Sequence, residues 1–129
     1  TAINLHAVAL LKEIHTFSEI SNDKKSIILA KEARVALGDE IGEILKASVV
    51  VILIGERPGL SNSQSIGAYI THSPKVGRTD AQRNCISNIC PKGLTLTEAA
   101  TQIVHLITCA LQHNFTGVEL SGKLTLQLE

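Results

Sequence analysis

The chain has 129 residues, enough for one domain with a sizeable core, and 44% of them are hydrophobic, which excludes a disordered chain. Its 12 Lys and Arg residues are balanced by 12 Asp and Glu residues, so it lacks the basic excess that a nucleic-acid-binding face requires. With no Trp, one Tyr and two Phe, it also lacks the aromatic side chains on which bases stack.

The first half of the chain predicts two helices and two strands. Residues 3–15 fit a helix, because their apolar side chains recur at helical spacing. Residues 26–30 predict a short strand, residues 33–38 a loop and residues 39–47 a short helix. The strongest strand signal lies at 48–54, where an unbroken, largely β-branched apolar run predicts a strand that is buried on both faces.

The second half predicts one more strand, at 67–72, and then a loop-rich stretch at 73–93. Two capping boxes, each a threonine followed three residues later by Gln or Glu, mark helix starts. The first predicts a short helix at 79–82 within the loop-rich stretch, and the second opens a long helix at 97–113. Residues 114–129 form a tail.

Helices and strands in succession predict a single α/β domain over residues 1–129, with three layers and a mostly parallel, Rossmann-like sheet. Within the tail, residues 118–129 carry no definite structural prediction, and their alternating KLTLQLE end at 123–129 is compatible with either an edge strand or a loose end. A doubly wound unit normally has a strand before its first helix. We therefore expect the first strand and an N-terminal region to precede Thr1, so that this chain is truncated at its N-terminus.

The segment after the strand at 48–54 occupies the place where such sheets bind ligands, beyond the carboxyl end of a strand. Glu56 and Arg57 stand there, and they are either part of a site or simply the point where the loop meets water. The spacing of Gly55 and Gly59 is not that of a dinucleotide fingerprint, and no phosphate-binding P-loop motif occurs.

The sequence predicts no metal site and no catalytic residue. His105, Cys109 and His113 share a helix face, but the two histidines are about 12 Å apart along the axis, too far for one metal ion. Cys85 has no His beside it in the sequence, and its simplest interpretation is a small apolar side chain in a packed loop. An odd number of cysteines without a signal peptide favours reduced thiols and a cytoplasmic protein.

Several motifs together resemble the small subunit of ethanolamine ammonia-lyase, in family order and at family spacing. They are GERPGL at 55–60, SQS at 63–65 followed by a strand with a Tyr, SP at 73–74, and RNCISNI at 83–89. The resemblance runs from about Ala2 to about Gly117. It implies membership in an adenosylcobalamin-dependent lyase that converts ethanolamine to acetaldehyde and ammonia by a radical route.

The resemblance also implies partners for this chain. A large TIM-barrel subunit would hold the substrate, and adenosylcobalamin would lie between the two subunits of a hetero-oligomer in the cytoplasm or in a bacterial microcompartment. This chain would be the subunit without the substrate site, inactive alone. Two other interpretations stay open: a stand-alone Rossmann-like nucleotide-binding domain of another enzyme, and a purely structural subunit.

Three positions would contact the cofactor by the same resemblance: Val35, Glu56 and Cys85. Physical chemistry is consistent with these roles. The corrin rim carries amide groups whose N–H donors need acceptors where water is excluded, and a carboxylate such as that of Glu56 can supply one. Val35 and Cys85 are small and apolar enough to lie against a flat macrocycle. Arg57 is not assigned to the cofactor.

Overall fold

The computed structural model describes residues 2–16, 27–28, 30, 34–56 and 65–128, and for residues 2–6 and 125–128 it describes the backbone alone. The described helices are α1 (Ala2–His15), α2 (Val35–Ile44), α3 (Leu96–His113) and α4 (Val118–Leu128). The described strands are β1 (Val49–Gly55), β2 (Ile66–His72) and β3 (Arg83–Ile89), and a 3-10 turn (Asp80–Gln82) leads into β3.

The three described strands form one antiparallel sheet in the order β1-β2-β3. Val49 of β1 pairs with His72 of β2, and Tyr69 of β2 pairs with Cys85 of β3. The predicted mostly parallel, Rossmann-like sheet is therefore wrong for the described residues. Consecutive strands here are neighbours separated by about ten residues, which is enough for antiparallel pairing but shorter than the crossover of a dozen or more residues that parallel pairing needs.

The core lies between one face of this sheet and helices α1 and α3. Its buried members are Leu10, Ile66, Ala68, Ile70, Ile86, Ile89, Ala99, Ala100 and Ile103. Alternate residues of β1, namely Val49, Val51 and Leu53, pack against the same cluster, as the period of a strand requires. Each fully buried Leu or Ile stabilises the fold by about 1.5–3 kcal/mol relative to exposure.

Helix α2 covers part of the opposite face of the sheet through two glycines. A Cβ added to Gly38 would overlap Ile52, and one added to Gly42 would overlap Pro74, so the helix backbone lies directly on its neighbours. Pro74 follows the end of β2 that pairs with the start of β1, whereas Ile52 lies further along β1. Helix α2 therefore runs antiparallel to β1, and its first residue, Val35, lies toward the end of β1 that leads to Glu56.

Local sequence signals are confirmed where they are strong. Helices α1 and α3 and strands β1 and β2 occur within two residues of their predicted positions. Glu98 N donates to Thr95 Oγ1 at 3.2 Å, which confirms the N-cap of α3. The capping box between Thr79 and Gln82 is also present and opens the 3-10 turn. No helix in the described part of the chain is long and apolar enough to cross a membrane.

Three local predictions differ from the structure. Helix α2 begins at Val35, inside the predicted loop at 33–38, because its glycines serve close packing rather than chain reversal. Strand β3 lies in the predicted loop-rich stretch, and residues 118–128 form a helix rather than an edge strand or a loose end. Of the predicted strand at 26–30, the structure describes residues 27, 28 and 30, and none of these is in a strand.

Candidate functional site

Two of the sequence-predicted residues, Glu56 and Cys85, meet at Tyr69 of the central strand. Tyr69 is the cross-strand partner of Cys85. A Cβ built on Gly67 would lie 3.5 Å from Tyr69 Cε2 and 3.7 Å from Glu56 Cγ, so the Tyr69 and Glu56 side chains lie over the same glycine. Gly67 and Tyr69 are two residues apart and share the face of β2 opposite the main core. We call Glu56, Tyr69 and Cys85 the Tyr69 cluster.

Glu56 is half-buried and fixed at both its backbone and its side chain. Its backbone amide donates to Ser65 O at 3.1 Å, which closes the start of β2 onto the end of β1. Its Oε1 accepts a hydrogen bond from Asn88 N at 2.7 Å. Within the part of the chain that the structure describes, no donor bonds to Oε2. The bond to Asn88 therefore gives the Glu56 side chain a fixed orientation.

Tyr69 and Cys85 both favour their protonated forms. Burial raises the pKa of the Tyr69 phenol, and the neighbouring Cys85 thiol and the negative charges of Glu56 and Asp80 raise it further. Partial burial of the sulfur also raises the pKa of the Cys85 thiol, the neighbouring Tyr69 phenol opposes that rise, and Glu56 adds to it. At neutral pH the cluster therefore presents a phenol and a thiol beside the Glu56 side chain, and the sulfur is not a thiolate nucleophile.

Val35 approaches the same face of the sheet on helix α2. It is half-buried and lies one turn before Asp39, whose carboxylate binds Arg83 of β3. Arg83 and Cys85 are two residues apart on β3 and so share a face. The structure thus brings Glu56 and Cys85 together at Tyr69 and carries Val35 on the helix that covers the same face. Arg57 lies outside the described residues.

Sequence reasoning missed Tyr69 and Asn88. The signal for Tyr69 was available: it is the only tyrosine, and it alternates with the buried residues Ala68 and Ile70 on a predicted strand. Asn88 gave no comparable signal. Its role depends on a left-handed backbone conformation, with φ of 60°, and on the strand pairing that brings it to Glu56.

The other candidate chemistry, on helix α3, forms no site among the described residues. Cys109 Sγ lies 3.7 Å from a ring nitrogen of His105, but the thiol is buried and its burial raises its pKa. Across the described ranges, no group of three or more His, Cys, Asp or Glu residues is arranged to hold a metal ion. The three cysteines are free of disulfide bonds, with Cys85 exposed and Cys90 and Cys109 buried.

Fold and site together define a small α/β domain with one sheet face in the core and the other presenting a fixed carboxylate, a phenol and a thiol beside a helix. Such a surface is suited to holding a ligand with amide or hydroxyl groups. The chain belongs to the ethanolamine ammonia-lyase light chain family, whose model matches residues 1–121.

Curated relatives carry the same family name. The chain is 44% identical over 123 residues to an ethanolamine ammonia-lyase small subunit of Xanthomonas campestris pv. campestris, covering 95% of this chain and 45% of the relative. It is 49% identical over 124 residues to the Bradyrhizobium diazoefficiens protein of that name, covering 95% of this chain and 48% of the relative. A Rhodopseudomonas palustris relative is 54% identical over 100 residues, covering 78% of this chain and 38% of the relative. The chain thus spans less than half the length of these relatives.

Proposed function

We propose that this chain acts within the small subunit of an ethanolamine ammonia-lyase and binds adenosylcobalamin through Val35, Glu56 and Cys85. Family membership supports the enzyme. The observation that carries the binding proposal is the meeting of Glu56 and Cys85 at Tyr69, on the sheet face that helix α2 covers only in part. Residues that contact one ligand are expected to come from separate strands and to meet at one surface.

The chemistry of the Tyr69 cluster fits the rim of a corrin. The amide side chains of the rim present both donors and acceptors. Glu56 Oε2 can accept from an amide N–H, while Oε1 stays bonded to Asn88 N. The protonated phenol of Tyr69 can donate to an amide carbonyl. The Cys85 thiol and the Val35 side chain supply small apolar surfaces that allow a flat ring to approach closely.

This chain's part in the reaction is placement. Adenosylcobalamin, if held by Val35, Glu56 and Cys85, would supply the radical chemistry of the reaction, which belongs to the cofactor. Glu56 and Tyr69 orient the corrin through hydrogen bonds, and the sheet face with helix α2 excludes water from it. No residue of the Tyr69 cluster is assigned a proton transfer to or from ethanolamine.

The proposal includes a partner. A large TIM-barrel subunit holds ethanolamine, and the cofactor lies between that subunit and this chain in a hetero-oligomer, in the cytoplasm or in a bacterial microcompartment. In support, the relatives are named small subunits, which implies a larger one. The chain alone should therefore leave ethanolamine unchanged in the presence of adenosylcobalamin, and acetaldehyde formed without a large subunit would contradict the assignment.

The binding proposal is tested by equilibrium dialysis of the full small subunit, assembled with its large subunit, against adenosylcobalamin, with visible absorbance as the readout. We expect saturable binding that is weakened by Cys85→Phe, since a bulky ring at this exposed position would occupy the space of the corrin. The matched control is Gln102→Phe, at an exposed position on helix α3, which packs on the other face of the sheet, and it should bind like wild type. No saturable binding, or equal binding by Cys85→Phe, would overturn the proposal.

Parallel dialysis against ADP and NAD separates the alternatives. Binding of a nucleotide without the corrinoid would indicate a nucleotide-binding domain. Binding of neither ligand, with stable assembly onto a large subunit, would indicate a structural role.

A further inference from the structure

Helix α2 and strand β3 are joined by a buried ion pair. Arg83 Nη1 donates to Asp39 Oδ1 at 2.9 Å and to Asp39 Oδ2 at 2.7 Å. The side chains of Arg83 and Asp39 are only 6% and 3% exposed. Arg83 also donates through Nε to Asp80 Oδ1 at 3.1 Å and through Nη2 to Arg78 O at 3.0 Å. The guanidinium is thus held in one orientation from three directions.

Attaching a helix to a sheet through a buried ion pair costs free energy, because both charges lose water. Removing two charges from water costs several kcal/mol for each ion, and well-packed apolar side chains often stabilise a fold as well or better. What an ion pair adds is direction, because a guanidinium that donates to both carboxylate oxygens fixes the geometry of the contact. The pair therefore suits a place where the position of the helix matters more than its contribution to stability.

The location of the pair relates it to the proposed cofactor surface. Asp39 lies one turn from Val35, and Arg83 lies two residues from Cys85 on the same face of β3. The pair therefore connects the two elements that carry Val35 and Cys85. A change in its length would move the start of α2 relative to the Tyr69 cluster.

Among the other described attachments of helix α2, none gives its N-terminal half a directional side-chain bond. Arg34, at the N-cap position, makes no side-chain capping bond. Glu43 Oε2 accepts from Val76 N at 3.3 Å, but this exposed contact is at the far end of the helix. Gly38 and Gly42 allow close approach to the sheet without supplying a directional bond.

We propose that Asp39 and Arg83 are positioning residues that set the gap between the start of helix α2 and the Tyr69 cluster, and with it the affinity for the corrin. This inference rests on the proposed function. Neither residue is assigned a contact with the cofactor.

The test compares Asp39→Asn with Asp80→Asn by equilibrium dialysis of the full small subunit, assembled with its large subunit, against adenosylcobalamin. Both changes remove a negative charge from the same arginine, but Asp39 is buried and the Asp80 side chain is 97% exposed. We expect Asp39→Asn to weaken binding by about 10- to 100-fold, as misplaced binding groups do. Asp80→Asn should bind like wild type. Arg83→Lys keeps the charge without the two-oxygen contact, should weaken binding as Asp39→Asn does, and serves in its place if Asp39→Asn does not fold.

A structural control separates positioning from general destabilisation. Thr116 is buried, and its Oγ1 accepts from His72 N at 2.9 Å and donates to Gln82 O at 2.6 Å, with no bond to Asp39 or Arg83 among the described residues. Thr116→Val should lower the melting temperature but leave corrinoid affinity unchanged when binding is measured well below that temperature. An equal loss of affinity in Thr116→Val would overturn the inference, because destabilisation alone would then explain the effect.

The outcomes separate this inference from the proposed function. If wild type does not bind the corrinoid, both fail. If wild type binds, Glu56→Ala weakens binding, and Asp39→Asn and Arg83→Lys both bind as wild type does, the positioning role fails and the proposed function stands.

Discussion

Glu56, directly after β1, accepts a hydrogen bond from the backbone amide of Asn88 on β3, with 2.7 Å between Oε1 and N. Asn88 has a φ of 60°, and its carbonyl accepts from Leu94 N at 2.9 Å. Oε1 of Glu56 thus fixes the turn that follows strand β3. From the sequence alone, Glu56 is either part of a site or a solvated loop residue. The structure gives it a structural role, whether or not a ligand is bound.

Glu56→Ala should therefore lower both folding stability and corrinoid affinity. Loss of a charged acceptor costs about 1.5–3 kcal/mol, and since Glu56 is half-buried we expect the free energy of unfolding to fall by about 1.5 kcal/mol, the low end of that range. Loss of Glu56 Oε2, the oxygen proposed to accept from the corrin, should weaken binding of adenosylcobalamin by about 10-fold or more, the equivalent of about 1.4 kcal/mol. Glu56→Gln should be milder in both respects, because its carbonyl still accepts. Urea denaturation and visible-absorbance titration measure the two effects.

Glu43 offers a matched control for this experiment. It too accepts a backbone hydrogen bond, from Val76 N at 3.3 Å, but it is exposed and lies at the end of α2 away from the cluster. Glu43→Ala should leave both the stability and the binding close to wild type. A Glu56→Ala variant that behaves in the same way would show that the bond to Asn88 contributes nothing and that no ligand uses the acid.

Strand direction is the part of the fold that local sequence patterns did not reveal. An unbroken apolar run at 48–54 is typical of a parallel strand with helices on both faces. Here the strand is antiparallel and only half-buried from Val49 to Ile54, with the core against Val51 on one face and Gly38 of helix α2 against Ile52 on the other. The pattern reports burial on two faces and is silent on the direction of the neighbouring strand.

Strand β3 escaped prediction for a related reason. Its sequence, RNCISNI, places Arg83 and Asn84 where a strand would normally carry apolar residues. Both are satisfied by partners distant in sequence: Arg83 by Asp39, and the Asn84 side chain by the backbone of Gly117. The same dependence on pairing explains the site. Glu56 and Cys85 were named through the family resemblance, but their meeting at Tyr69 follows from strand register, which spacing alone does not give.

Thiol reactivity should distinguish the three cysteines. Cys85 is exposed, whereas Cys90 and Cys109 are buried. A thiol reagent should titrate about one thiol in the native chain. In Cys85→Ser the number of thiols that react in the native chain should fall by one, to about zero. Because partial burial of its sulfur raises the pKa of the Cys85 thiol, its reaction rate should keep rising at pH values above the usual pKa of a thiol. In denaturant without reductant, all three should react.

Adenosylcobalamin should slow the native reaction if it covers Cys85 as proposed. Equal rates with and without saturating cofactor would argue against contact at this residue. Rapid modification of Cys90 or Cys109 in the native chain would contradict their burial.

Thr71→Val should stabilise the fold. Thr71 is fully buried, and within the described part of the chain its Oγ1 has no hydrogen-bond partner. An unsatisfied buried hydroxyl costs about 1–3 kcal/mol, and valine fills nearly the same volume without it. We expect the free energy of unfolding in urea to rise by about 1 kcal/mol. Thr116→Val, which removes a buried hydroxyl with two partners, should change it in the opposite direction, and a loss of stability in Thr71→Val would mean that this hydroxyl is satisfied.

Two glycines near the end of the chain should respond oppositely to alanine. Gly117 has a φ of 96°, and an added Cβ would overlap the backbone of Ala81. Gly117→Ala should therefore destabilise the domain by more than about 2 kcal/mol, since both the φ strain and the overlap must be relieved. Gly122 lies within helix α4 with nothing within 4 Å of an added Cβ, so Gly122→Ala should stabilise by about 0.5–1 kcal/mol. Thermal unfolding measures the stability change of each variant. Equal changes in Gly117→Ala and Gly122→Ala would contradict the left-handed backbone conformation of Gly117.

Stability should decrease in mild acid through His72. The residue is half-buried at the end of β2, where burial lowers the pKa of its imidazole and the positive charge of Arg78 lowers it further. A base whose pKa is lower in the folded state binds its proton more weakly there than in the unfolded chain. Its contribution is therefore complete above the unfolded value of about 6.5 and is lost as pH falls below it, through the lower folded value. The free energy of unfolding, measured in urea from about pH 7.5 to 5, should fall more steeply for wild type than for His72→Gln. Arg78→Gln should reduce the steepness in part, because it removes the charge but not the burial. Parallel pH profiles for wild type and His72→Gln would show that this histidine titrates alike in both states and would contradict the buried setting of its ring.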